Sequence, residues 1–104
     1  MAGNRIELRG RLLGEPELRT TPAGTSILRI QMEAADDPGA FSLAVVMGGE
    51  SARLRAGNLR SGTEVRVKGT LKAIRRRLKS GLAETAYEIA AESIEVAEPV
   101  GRIK

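Results

Sequence analysis

The chain alternates apolar and polar residues in four separate stretches, with the period of two expected of half-buried strands. From Arg5 to Leu13, Ile6, Leu8, Gly10 and Leu12 fall on one side; Arg5, Glu7, Arg9 and Arg11 fall on the other. From Ser26 to Ala34, Leu28, Ile30, Met32 and Ala34 alternate with Arg29, Gln31 and Glu33. Phe41 to Met47 reads as a third strand, mostly apolar. From Thr63, Val65, Val67, Gly69, Leu71 and Ala73 oppose Arg66, Lys68, Thr70 and Lys72. Between these stretches, Gly14 to Thr25 holds two prolines and two glycines and reads as a connecting loop. Asp36 to Gly39 is a turn by composition, because proline fixes φ and glycine accepts positive φ. Gly48 to Gly62 is glycine-rich, with one helical turn around Ser51 to Arg55.

The segment from Leu82 to Val96 carries two patterns at once. Glu84, Glu88, Glu92 and Glu95 recur at helical spacing among alanines, so local propensity favours a helix. Read as a strand, Tyr87, Ile89 and Ala91 share one face and Ile94 and Val96 the other, which requires a bulge between them. Counted as a strand, it completes five strands with short turns, an all-β chain forming a small barrel or sandwich. No internal repeat or linker divides the 104 residues. They read as one domain over 1–104, with an ordered core of about 4–98 and a frayed tail from Glu98 to Lys104.

Charge sharpens this picture. There are 17 Lys and Arg against 13 Asp and Glu, a net +4, so anionic partners are favoured and distribution matters more than the total. Between Val65 and Ser80 stand seven basic residues and no acidic one, ending in Arg75, Arg76, Arg77 and Lys79 before a Ser-Gly turn. Such a run is often a solvated face. Here the arginines stand together in an expected loop, Ala73 to Gly81, with no carboxylate beside them in sequence. From Ser80 to Gly101 there is no basic residue; that acidic band either balances the basic loop, repels an anionic partner from one side, or meets a basic partner. Neither cysteine nor histidine occurs, which removes disulfides, thiolate metal sites and the usual nucleophile–base pairs. No carboxylate cluster suggests a metal site, and no cofactor motif is present. No apolar run approaches the roughly 20 residues that span a bilayer, and Met1 to Asn4 offers no apolar signal segment. The expectation is a soluble cytoplasmic protein that is not an enzyme.

Gly10 to Thr25, GRLLGEPELRTTPAGT, resembles the opening of bacterial single-stranded-DNA-binding proteins: a strand, a loop with Pro-Glu-Leu-Arg, then Thr-Pro-x-Gly into the second strand. With GTEVRVKGTL and the basic segment after it, the likeness runs from about Asn4 to Glu98. It implies the oligonucleotide/oligosaccharide-binding (OB) barrel, five-stranded, with at most a short helical turn between strands three and four. The fifth strand is then roughly Ala83 to Val96, since a sheet neighbour overrides helical propensity. Within the group the chain looks most like the small paralogue of replication restart. It ends at Lys104 without a long linker and acidic tail, has no tryptophan, and lacks an Ala-Glu-x-Leu helix motif around Gly48 to Asn58.

In such barrels the ligand crosses the outer face of strands two and three, between the 1–2 and 4–5 loops. The resemblance therefore implies DNA contacts from Arg75, Arg76, Arg77 and Lys79 in the 4–5 loop, and from Arg19 in the 1–2 loop. Lys72 joins with Arg66 and Lys68 only if their face turns toward the strand. Phe41 is either a stacking ring or a core residue; its parity matches Leu43, Val45 and Met47, so exposure needs a bulge near Gly39. Tyr87 is expected to be buried with its hydroxyl bonded. The implied partners are single-stranded DNA, a restart helicase and a helicase-loading protein, with the chain a homodimer through its first strand. Two alternatives stay open: a general single-strand coating protein, tetrameric in form, or a protein-interaction adaptor with incidental DNA contact.

Overall fold

The structure is a computed structural model and describes residues 4–35 and 39–97. The expected turn residues Asp36 to Pro38 and the expected tail from Glu98 onward lie outside the described residues. Seven elements follow in order: β1 Ile6–Leu12, β2 Glu17–Thr20, β3 Ser26–Ala35, β4 Ala40–Gly48, α1 Glu50–Ala56, β5 Glu64–Arg77 and β6 Ala83–Val96. Five strands close into a ring, β1-β5-β6-β4-β3 and back to β1, with β2 added at the edge of β3. This is the all-β OB barrel, built from antiparallel ladders apart from one parallel pairing, Ala44–Val46 of β4 with Glu88–Ala90 of β6.

The inward sets named by alternation fill the barrel. Leu28, Ile30 and Met32 from β3, Val65 and Val67 from β5, Leu12 from β1 and Val45 from β4 are all buried. Burial of each such aliphatic side chain contributes about 1.5–3 kcal/mol. Ring closure depends on β1 serving two partners: it pairs with β5 from Ile6 to Arg11 and with β3 only from Gly10 to Leu12. At the junction, a Cβ on Gly10 would run into the backbone carbonyl of Glu33, so only glycine allows the two strands to close. The chain ahead of β1 is pinned by Asn4, whose side-chain amide donates to the Leu71 carbonyl (2.6 Å) and accepts from the Leu71 N–H (3.0 Å).

The 82–96 segment is a strand, β6, in antiparallel register with β5 along its whole length. Its bulge lies at Glu92: Lys68 faces Ser93 while Gly69 faces Ala91, leaving one extra residue on β6. That extra residue switches parity, which is how Ile89 and Ile94, of opposite parity, are both buried. Cross-strand pairing has overridden the helical spacing of the glutamates.

Three features depart from the sequence reading. Part of the expected 1–2 loop is a strand: β2 pairs with β3 from Glu17↔Arg29 to Thr20↔Ser26, turning through Thr21–Thr25. The hydroxyl of Thr21 accepts from the Thr25 N–H (3.1 Å), and Gly24 takes a positive φ there. The helix is longer than one turn, seven residues, entered through Gly49 at φ 92° and seated on the barrel end by buried Ala52. Finally, the basic segment is not a loop. β5 continues to Arg77 and β6 starts at Ala83, so Ala73 to Arg77 forms the outer part of a long hairpin, hereafter the arm.

Candidate nucleic-acid interface

The arm leaves the barrel where β4 stops supporting β6, since their parallel pairing covers only three residue pairs. Along it, Lys72 faces Glu88, Ala73 faces Tyr87, Ile74 faces Ala86, Arg75 faces Thr85, Arg76 faces Glu84 and Arg77 faces Ala83. The pleat therefore divides the basic residues. Lys72, Ile74 and Arg76 share one face of the ribbon with Glu84 and Glu88; Arg75 and Arg77 share the other. The tip is a turn in which the Leu78 N–H donates to the Leu82 carbonyl (2.7 Å) and the Gly81 N–H to the Leu78 carbonyl (2.9 Å). Gly81 has φ 94°, a value that favours glycine.

Against the face carrying Ile74 and Arg76 the structure holds a groove of about 510 Å³. Its far wall is the outer face of β3 and β4, from Arg29, Gln31, Ser42 and Ala44. Tyr87, 54% exposed, lines it at the base of the arm. Two ion pairs cross or flank this groove. The Arg29 guanidinium lies 3.2 Å from the Glu88 carboxylate, joining β3 to β6, and Arg76 lies 2.7 Å from Glu84 across the arm. Arg76 thus has a carboxylate partner, contrary to the expectation that the arginine cluster stands without any. Arg77 donates instead to the backbone carbonyl of Gly81 (3.1 Å), bracing the tip while keeping its full charge. Among the described residues Arg75, Lys79 and Lys72 are exposed and make no ion pair.

The other sequence candidates scatter. Arg19 lies on β2, a strand rather than a loop, opposite Ile27 and so on the same outer face as Arg29 and Gln31. Phe41 is 44% exposed at the start of β4, but without the expected bulge: β3–β4 pairing is continuous from Ile27↔Gly48 to Ala35↔Ala40. It keeps the inward parity of Leu43 and Val45 and is exposed because it lies past the end of the packed core. Arg66 and Lys68 are separated from the arm; Arg66 pairs with Glu7 on β1 (3.7 Å), and Lys68 stands beside Arg5 and Glu7.

Tyr87, expected to be buried, is exposed for the same reason as Phe41. Parity with Ile89 points it inward, but no barrel remains around it. Parity could not reveal this. Arg29 and Gln31, by contrast, lie in the outward row of the second strand, the face on which ligand is expected, and that row is the signal in the sequence that marks them.

Among the described residues no group of three or more Asp and Glu is placed to hold a metal ion, and no helix is long and apolar enough to cross a membrane. The chain is thus a closed five-stranded OB barrel with a cationic arm beside the outer face of β3 and β4. The model of the single-strand binding protein family matches residues 3–97, and the chain belongs to that family, a non-catalytic group that binds single-stranded DNA. No curated protein matches the chain.

Proposed function

We propose that this chain is a cytoplasmic, non-enzymatic accessory of the replication-restart primosome, similar to primosomal replication protein N. It binds single-stranded DNA mainly through charge and bridges a restart helicase and a helicase-loading protein. The observation that supports this reading most is the arm: Arg75, Arg77 and Lys79 are exposed and form no ion pair among the described residues, while the chain has no tryptophan to stack on. Three such charges offer phosphate contacts that ignore base identity and weaken steeply with salt. Phe41, Arg19 and Lys72 extend the contact to the strand faces beside the arm. The β1 edge from Ile6 to Leu8, beyond the Gly10–Leu12 pairing with β3, supports a homodimer that joins two arms into one longer track.

A second reading, a general single-strand coating protein, draws support from α1, a seven-residue helix where the sequence predicts a single turn. One experiment separates them. Reversing Arg75, Arg76 and Arg77 to Glu is expected to abolish oligonucleotide retention while leaving dimer mass and helicase binding intact. A tetramer that saturates long single strands cooperatively overturns the accessory reading, and unchanged DNA retention overturns the arm as the site.

A further inference from the structure

We infer that the tip of the arm is a wedge for the boundary between single- and double-stranded DNA. Its paired leucines cover the face of the last base pair, and the cations beside them hold the strand that leaves it. The inference rests on the proposal that the chain binds DNA through the arm. After Arg77↔Ala83, the next pair in the β5–β6 register is Leu78 and Leu82, which face one another across the turn Lys79-Ser80-Gly81. They are 40% and 68% exposed, and Leu82 is the most exposed large apolar side chain among the described residues. Neither side chain is needed to hold the turn, which backbone hydrogen bonds, the positive φ of Gly81 and the Arg77–Gly81 contact already fix. Side by side at the far end of a charged hairpin, they form a small apolar patch rimmed by polar groups, the arrangement of a binding surface rather than of scattered exposure.

What rims the leucines identifies the occupant. Lys79 lies in the turn between them, Arg77 precedes Leu78, and Arg75 stands two residues further down β5; none of the three forms an ion pair among the described residues. Glu84, the first carboxylate after Leu82, is engaged by Arg76. An apolar tip inside a cationic collar, continuous with the arm's phosphate contacts, suits the end of a base stack, where a flat apolar face is flanked by phosphates. Along a single strand, aromatic rings are the side chains that bases stack on, and a leucine has no ring to offer. At a junction the last base pair has lost one stacking neighbour and leaves its face to water. Leucine is among the apolar side chains that proteins insert at base steps. The arm also gives the reach: from Lys72 to Leu78 the strand runs about 20 Å, and neither leucine lines the groove against β3 and β4.

The test uses the intact protein, a single-stranded oligonucleotide, and a DNA hairpin that carries the same sequence as a single-stranded tail. Affinity is read at moderate salt, where the phosphate contribution is reduced. The tailed hairpin is expected to bind about tenfold more tightly, within what partial burial of two leucine side chains supplies. The double variant Leu78→Thr and Leu82→Thr keeps strand-forming residues at the tip. It should abolish the preference and leave affinity for the single strand, and its salt slope, unchanged. The single variant Leu82→Gln, at the more exposed position, should lose part of the preference with the melting transition unaltered. Equal affinity of the wild type for the two DNAs overturns the inference but leaves the DNA-binding reading standing; no retention of either at low salt overturns that reading itself. A preference that persists in the double variant comes from the denser phosphates of the duplex and overturns the wedge. So does binding of anionic lipid vesicles that the double variant loses, in the absence of any junction preference, since the tip then serves a membrane surface.

Discussion

At the scale of single residues, charge neighbours decide what a basic side chain does. Arg76 and Arg75 are adjacent in sequence, yet the pleat sets one against Glu84 and leaves the other in solvent. The Arg76–Glu84 pair is exposed, its side chains 60% and 41% accessible, so its contribution to stability is within about 1 kcal/mol. Glu84→Gln is accordingly expected to leave the melting temperature nearly unchanged. It should strengthen DNA binding and steepen the log–log salt dependence by about 0.7, the value of one additional phosphate contact on a single strand. A flat response would mean that Arg76 takes no part in binding. The two exposed rings allow a complementary check. Tyr87 lines the groove and Phe41 does not, so Tyr87→Ala should weaken oligonucleotide binding by about 1–3 kcal/mol and Phe41→Ala by less, neither altering the salt slope. Stability has its own sensitive residue in Gly69, opposite the β6 bulge, where an added Cβ would stand 2.9 Å from Ala91 Cα and closer still to the Ala90 carbonyl. Gly69→Ala should cost about 2 kcal/mol, seen as a fall of roughly 10 °C in thermal melting.

At the scale of elements, the arm is a strand pair that outgrows its barrel. Alternation identified β1, β3 and β5 with their inward residues because each lies against the core along most of its length. It also located the bulge in β6, since Ile89 and Ile94 cannot both be buried without one. What alternation missed has a common cause. β2 is a four-residue edge strand with every residue exposed, so no buried face imposes a period on Glu17 to Thr20. The outer arm is equally uncovered: Arg75, Arg76 and Arg77 keep the β-ladder through pairing with Thr85, Glu84 and Ala83 alone, and a run of three arginines has no apolar parity to read. For the same reason Phe41 and Tyr87 carry inward parity and yet stand in solvent. The groove itself brings together Arg29, Ile74 and Tyr87 from three strands, an arrangement that register fixes and that no local pattern contains. Shortening the arm at Lys72 and Glu88 with a two-residue turn is therefore expected to leave the melting transition cooperative while removing most oligonucleotide affinity. Loss of folding in that variant would show that the arm supports the barrel as well.

At the scale of the whole molecule, a net charge of +4 understates the field near the arm, because four cations that form no ion pair among the described residues stand close together there. Acidic residues engage Arg9, Arg11, Arg29, Arg53, Arg66 and Arg76 around the barrel and groove; of the described cations outside these pairs, Lys72, Arg75, Arg77 and Lys79 stand together on the arm, and Arg5, Arg19, Arg55, Arg60 and Lys68 are spread over the barrel. Such a local cluster steers an anionic chain toward the arm. Phosphate contacts release counterions, so raising salt should lower affinity by orders of magnitude, with a slope of about 0.7 for each contact. A salt titration on the double variant Arg75→Gln and Arg77→Gln should then give a slope shallower than the wild type's by about 1.4, two contacts' worth. If the slope is unchanged, the phosphate track lies elsewhere on the barrel, and the exposed row of Arg5 and Lys68 beside β1 becomes the surface to mutate next.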